Sequence, residues 1–174
     1  PTVIGSVTHA TQLASSQDAY VSGRYAYVAA TNRLTIVDVS NPSKPVIIGS
    51  LVNTSMSPSS VYVSGRYAFI VAPDGLFIID VANPASPILV GSNLLVAAVS
   101  IYVSGRYAYV VGGGSANRLT IVDVSNPSNP QIAGSVTQAT QLDTPNSVYV
   151  SGRYAYVAVG GNTAKAGRLT VVDI

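Results

Sequence analysis

The octapeptide Val-Ser-Gly-Arg-Tyr-Ala-Tyr-Val stands three times in this 174-residue chain, at Val21–Val28, Val103–Val110 and Val150–Val157. A fourth copy, ending in Phe-Ile, occupies Val63–Ile70. The glycines of the four copies, Gly23, Gly65, Gly105 and Gly152, are 42, 40 and 47 residues apart. A unit of that length is one supersecondary element, too small to bury its own apolar surface, so the copies must stack on one another.

Each unit holds four short, strand-like apolar runs parted by turn residues, here named a to d from the inner strand outward. Strand a is Ala19–Val21, Val61–Val63, Ile101–Val103 or Val148–Val150, and strand b is Arg24–Val28 with its counterparts. Strand c is Leu34–Val39, Leu76–Val81, Leu119–Val124 or Leu169–Ile174. Strand d is Thr2–Ser6, Val46–Ser50, Ile88–Ser92 or Gln131–Ser135. Ser-Gly makes the a–b turn tight, because glycine enters positive φ without steric cost. Asn41-Pro42, Asn83-Pro84 and Asn126-Pro127 stop strand c, since proline has no N–H to give a ladder. In Leu34-Thr35-Ile36-Val37-Asp38-Val39 both alternating faces are largely apolar, whereas a sheet wetted on one side alternates strictly. Sheets covered on both faces and repeated at this period predict an all-β chain, a β-propeller of four-stranded antiparallel blades. The chain supplies four blades' worth in a single domain, with repeats at about 1–44, 45–86, 87–129 and 130–174. All eleven tyrosines fall at repeat positions, and this regularity predicts core or blade–blade packing, Tyr107 included.

The strand c motifs resemble those of the LVIVD-repeat propeller family. They read Leu34-Thr35-Ile36-Val37-Asp38, Leu76-Phe77-Ile78-Ile79-Asp80, Leu119-Thr120-Ile121-Val122-Asp123 and Leu169-Thr170-Val171-Val172-Asp173. The following Asp-Val-Ser-Asn-Pro and the preceding Ser-Gly-x-Tyr-Ala-Tyr-Val are similar to that family as well, and the likeness covers essentially the whole chain. It implies a propeller scaffold, an extracellular or cell-surface setting, and no shared catalytic signature.

Pro1–Ser6 aligns with Pro45–Ser50, so the chain opens on strand d and closes on strand c at Ile174. The last blade needs an outer strand, and residues 2–6 offer one; without it a sheet edge is left open. Two assemblies satisfy the strand count. The N-terminal strand closes its own chain's last blade in a four-bladed monomer, or it closes a second copy's in an eight-bladed homodimer. Four blades turn ~90° between neighbours and eight only ~45°, and the wider wedge asks for bulky filler at the rim. The d strands are thin there, at Gly5-Ser6, Gly49-Ser50, Gly91-Ser92 and Gly134-Ser135, which favours the two-fold dimer. With Pro1 in place of a Met, the expectation is a processed, excised or engineered half-propeller.

Charge points away from nucleic acid. Nine Lys and Arg give a net charge of only +2, and four of them recur once per repeat instead of gathering on one face. The longest apolar stretch, Leu94–Val99, falls far short of the ~20 residues of a membrane-spanning helix. No Cys, no Glu and one histidine, His9, argue against a protein-ligated metal or a resident cofactor. The sets Arg24/Asp38, Arg66/Asp80, Arg106/Asp123 and Arg153/Asp173 read as structural pairs, because catalysis rarely needs four equal copies. Whether each pairs within a blade or between blades is open at this level. Gly112-Gly113-Gly114 and Gly160-Gly161 read as hairpin loops, for no phosphate-binding Gly-Lys-Ser/Thr follows them. The a–b turns are constant, while the b–c link grows from five residues to eight and eleven. Ligands are therefore expected on the face with the b–c and d–a loops, where Asp18, Ser60, Ser100 and Ser147 ring one mouth of a channel. The sequence favours a non-catalytic, self-associating scaffold with partner binding on that face. A carbohydrate-binding propeller is the alternative, and an unrecognised enzyme ranks below both.

Overall fold

The computed structural model describes residues 1–95, 97–112, 117–161 and 166–174. Among them, fifteen strands form four antiparallel sheets. The first sheet runs β1 (Asp18–Ser22), β2 (Tyr25–Ala30), β3 (Arg33–Asp38), β4 (Val46–Val52), and the second runs β5 (Ser60–Ser64), β6 (Tyr67–Ala72), β7 (Gly75–Asp80), β8 (Ile88–Leu94). The third is β9 (Ala98–Ser104), β10 (Tyr107–Gly112), β11 (Arg118–Asp123), β12 (Gln131–Thr137). The fourth has three strands, β13 (Pro145–Ser151), β14 (Tyr154–Val159) and β15 (Arg168–Asp173). Strands follow one another in sequence order inside each sheet, so every connection is a hairpin. The four a–b turns are closed by glycine in the left-handed region, with Gly23 at φ 60° and the other three at 58°.

The core lies between sheets. Tyr27, Ala29, Leu34 and Ile36 of the first sheet pack on Val61, Val63, Ala68 and Ile70 of the second. Phe69, Val71, Leu76 and Ile78 of the second meet Ile101, Val103 and Ala108 of the third. Tyr109, Val111 and Leu119 of the third meet Val148, Val150 and Ala155 of the fourth. Strand β7 shows why alternation is lost: Ile78 and Ile79 point to opposite faces and both are fully buried. Tyr107 packs at the edge of the contact between the third and fourth sheets. It is half-buried, with the Arg106 guanidinium 5.3 Å from its ring centroid, while Tyr109, two residues on, enters the core. The physical reason is position, since Tyr107 opens strand b at the rim beside the solvated turn.

The c–d pairing of each complete sheet slips once, beside Ile36, Ile78 and Ile121, leaving Ile48, Val90 and Ala133 unopposed. Such a bulge bends strand d and raises its twist. It brings the next residue, a glycine, onto the following blade. A Cβ on Gly49 would lie 2.2 Å from the Pro84 carbonyl oxygen, and one on Gly91 2.0 Å from that of Pro127. Strand d of one blade is thus seated on the c–d turn of the next.

Residues 2–6 form no strand in this chain. They nonetheless occupy a d-strand seat, because a Cβ on Gly5 would lie 2.1 Å from the Pro42 carbonyl oxygen. No strand c lies beside them, and backbone without a neighbour has no ladder to join. At the other end, β15 pairs with β14 alone among the described residues. Gly134 is the informative exception to the glycine rule, for nothing lies within 4 Å of its added Cβ. We expect Gly49→Ala and Gly91→Ala each to destabilise the fold by ~1–3 kcal/mol through overpacking against backbone. Gly134→Ala should stay within ~0.5 kcal/mol; urea unfolding of the three variants measures the contrast.

Candidate functional site

Asp18, Ser60, Ser100 and Ser147 stand at corresponding places on the four inner strands, and all four line a single cavity of about 660 Å3. Thr31 and Pro73 from b–c turns and Ser57, Pro58 and Ser59 from a d–a link complete its wall, with Gln17, Val99 and Asn146 beside the strand positions. The cavity therefore opens on the face where the loops vary. Its one carboxylate is already engaged. Asp18 Oδ1 accepts the Ala19 N–H at 2.8 Å, and Oδ2 accepts the Ser60 hydroxyl at 2.8 Å and the Val61 N–H at 2.9 Å. Two of these bonds cross from the first blade to the second, so Asp18 braces the mouth.

Two residues further along each strand, on the same face, Tyr20, Tyr62, Tyr102 and Tyr149 form a ladder. Successive ring centroids are 4.7, 5.1 and 4.8 Å apart, and the rings are tilted by 45–62°. Burial, followed by the hydrogen bond to Tyr20, pushes the Tyr62 phenol well above its ordinary range. Burial and the bond to Tyr149 raise that of Tyr102. These two phenols therefore stay neutral at any physiological pH. The ladder stops at Tyr149, which is 58% exposed.

The arginine and aspartate sets lie on the opposite face. Arg24 pairs with Asp38, Arg66 with Asp80, Arg106 with Asp123 and Arg153 with Asp173, each within its own blade. The pairing follows from register, since Tyr25 lies opposite Asp38 and the corresponding residues match in the other sheets. Each guanidinium also covers the next tyrosine ring at 5.3–5.6 Å. In three blades the aspartate's other oxygen accepts a backbone N–H two residues on, at Ser40, Ala82 and Ser125. One ion pair thus pins the a–b turn, the end of strand c and the start of the c–d turn. The hydrogen bond from arginine holds Asp38, Asp80 and Asp123 below the usual carboxylate range, with the N–H bonds adding to it.

Both ends of the row of blades present apolar faces. Val21 is 61% exposed where its counterpart Val63 is 5%. Leu169 and Val171 are 66% and 53% exposed where Leu34 and Ile36 are fully buried. The first blade lacks a preceding neighbour and the fourth lacks a following one.

Some residues carry roles that the sequence reading did not give them. His9 caps a turn through Nδ1, which accepts the Gln12 N–H at 3.1 Å, and Gln138 begins the corresponding turn ahead of the fourth blade. Arg168 donates to Asp143 at 3.3 Å on the variable face, and Arg33 and Arg118 at the same place in strand c bury their Nε atoms. Arg-Leu-Thr opening three of the four c strands was the available signal. Of the glycine clusters, Gly112, Gly160 and Gly161 are described, while Gly113 and Gly114 lie outside the described residues. Among the described residues no three acidic, histidine or cysteine side chains gather, and no helix is long and apolar enough to cross a membrane.

The family model described as the LVIVD repeat matches residues 14–54, 57–94, 97–138 and 145–174. No curated protein matches by sequence. Among solved structures, the computationally designed Ika4 protein is 9% identical, with a TM-score of 0.70 over 100% of this chain and 98% of that one. The computationally designed Ika8 protein, also 9% identical, matches with a TM-score of 0.69 over 91% of this chain and 46% of its own. A functionally unknown protein from Desulfotomaculum acetoxidans, 14% identical, gives a TM-score of 0.67 over 91% of this chain and 55% of its own. At these identities the likeness is one of fold. The chain spans nearly all of the first of these proteins and about half of the other two.

The depressed aspartates set a sign for the effect of acid. A carboxylate whose folded pKa lies below its unfolded value contributes stability that is fully present above the unfolded pKa and lost as pH falls through the folded one. For Asp38, Asp80 and Asp123 that window opens near the ordinary value of ~3.9 and extends downward. The melting temperature should fall on acidification below about pH 4, and less steeply in Asp80→Asn. Because these pairs are exposed, added salt should shrink the difference; scanning calorimetry across pH measures both.

Proposed function

The chain belongs to the LVIVD-repeat family, and from that premise we propose that it is a non-catalytic half-propeller scaffold that self-associates by strand exchange. The observation that carries this reading is the match between its two exposed ends. Ala19 and Val21 of the first blade stand where Val61 and Val63 stand on the second. Tyr156, Ala158, Leu169 and Val171 of the fourth blade stand where Tyr27, Ala29, Leu34 and Ile36 meet that pair on the first. The last blade of one copy and the first blade of another therefore offer the two halves of the contact that recurs inside the chain.

Register makes the exchange specific. In the three complete sheets strand c pairs Thr35 with Ser50, Phe77 with Ser92 and Thr120 with Ser135. By the same rule β15 would take residues 2–8 of the partner copy, with Thr170 opposite Ser6 and Asp173 opposite Thr2. The Gly5 seat on Pro42 supports this placement, because residues 2–6 hold the outer-strand position of a blade that would precede the first. Pairing would cover the open edge of β15, and doing so reciprocally gives a two-fold ring of eight blades. Partner binding belongs to the variable face, which stays free in such a ring. The charged sets support the non-catalytic reading, for each is a mutually neutralised pair in the same structural place.

Light scattering at micromolar concentration should give twice the 17.9 kDa chain mass, and a monomer would overturn the proposal. The chain has no cysteine, so a Ser6→Cys/Thr170→Cys double variant tests the exchange directly. Oxidation should produce a covalent dimer on a non-reducing gel. A cross-linked monomer would mean closure within one chain, and a dimer in solution without any cross-link would mean face packing alone; either result sinks strand exchange. Leu169→Asp should weaken the dimer by at least about tenfold, as expected for a charge placed in an apolar contact.

A further inference from the structure

We infer that the cavity ringed by Asp18, Ser60, Ser100 and Ser147 is a binding site for a neutral polyhydroxylated ligand, of which saccharides are the chemical class. At about 660 Å3 it has the size of a small-molecule site. Nine of its thirteen lining residues carry a hydroxyl or amide, the others being Asp18, Pro58, Pro73 and Val99, and no Lys or Arg contributes to it. Among the described residues, the hydroxyls of Ser59, Ser100 and Ser147 and the amide of Asn146 make no side-chain hydrogen bond within the protein. These groups both donate and accept, as a hydroxyl-rich partner requires.

Charge selects further. Asp18 is the one acidic side chain in the wall, and three protein donors already satisfy it. It is therefore spent as a brace between two blades and leaves a residual negative potential at the mouth, which disfavours phosphate, sulfate and carboxylate ligands. The carbohydrate-binding alternative had one weakness at the level of sequence: the variable loops carry no aromatic residue. No aromatic side chain lines the cavity wall itself. The tyrosine ladder follows the polar ring by two residues on each inner strand, one step beyond that wall. Sugars present both C–H faces and hydroxyl edges, and this order of tiers matches the two.

The inference stands on the wall that the four inner strands of one chain form; in the ring proposed above a second copy would face that wall across the channel. The test is saturation-transfer NMR with glucose, galactose, mannose, N-acetylglucosamine and their β-1,4 and α-1,4 disaccharides as probes at millimolar concentration, with inorganic sulfate as the anionic arm. At least one neutral probe should bind, and its binding should change the tyrosine fluorescence, which is readable because the chain has no tryptophan. Ser100→Leu, which fills the centre of the wall, should weaken that binding by at least about tenfold, and Asn146→Leu at the exposed margin should weaken it to a lesser degree. Solution mass and melting temperature should be unchanged in Asn146→Leu, which keeps the test valid if Ser100→Leu folds poorly. Binding by sulfate, silence from every neutral probe, or equal binding by wild type and both variants would overturn the inference.

Discussion

Burial of each small sheet on both of its faces is the condition on which this molecule rests. A sheet of three or four short strands has little core of its own, and β7 shows the solution, with Ile78 committed to one neighbour and Ile79 to the other. Fully burying a single side chain of that kind is worth ~1.5–3 kcal/mol. Each blade–blade contact collects several, so adding or removing a neighbour changes stability by an amount comparable to that of a whole small domain. Two consequences follow. Blades inside the row are fixed by their neighbours, and the terminal blades carry apolar faces that ask for covering. The bulge-and-glycine seat of strand d on the next blade's proline turn sets the angle at which this stacking repeats.

The two rims of the blades have been put to different uses. On the constant rim an arginine, an aspartate and a tyrosine form the same three-way contact four times, tying the a–b turn to the end of strand c. That unit is neutral as a whole and exposed, so it contributes geometry more than energy. On the variable rim no such tie recurs in every blade among the described residues; Asp18 braces the first blade to the second and Arg168 meets Asp143, each once. There the inner strands end in Asp18 and three serines, and loops of unequal length gather around one cavity. A rigid constant rim is what permits the other rim to vary, since the blades no longer depend on those loops for their spacing.

Much of the architecture was legible because it depends on local pattern. The positions of the a–b turns, the Asn-Pro stops and the two-faced c strands follow from steric rules that act over a few residues. Repeat phase places Asp18, Ser60, Ser100 and Ser147 at one level for the same reason. Legibility failed where a residue's environment depends on another blade. Tyr107 and Tyr109 are both tyrosines of strand b at alternate positions, and both pack against the contact with the fourth sheet. Yet only Tyr109 is buried there, while Tyr107 at the rim also carries the Arg106 guanidinium. The bonds that Asp18 accepts from the Ser60 hydroxyl and the Val61 N–H span two repeats, and no local signal announces them. Nor did any mark Arg168 with Asp143, whose contact joins a c strand to a d–a link.

By itself, the sequence determined the strands, their order within a blade and the number of blades in the chain, because turn chemistry and hydrophobic period are properties of neighbouring residues. Tertiary structure decided which faces remain uncovered, where the tyrosines form a ladder, and that residues 2–6 sit on the first blade without a strand to pair. Those outcomes depend on how sheets stack in space. An identical Pro-x-x-x-Gly-Ser pattern is a strand where a c strand lies beside it and an unpaired segment where none does.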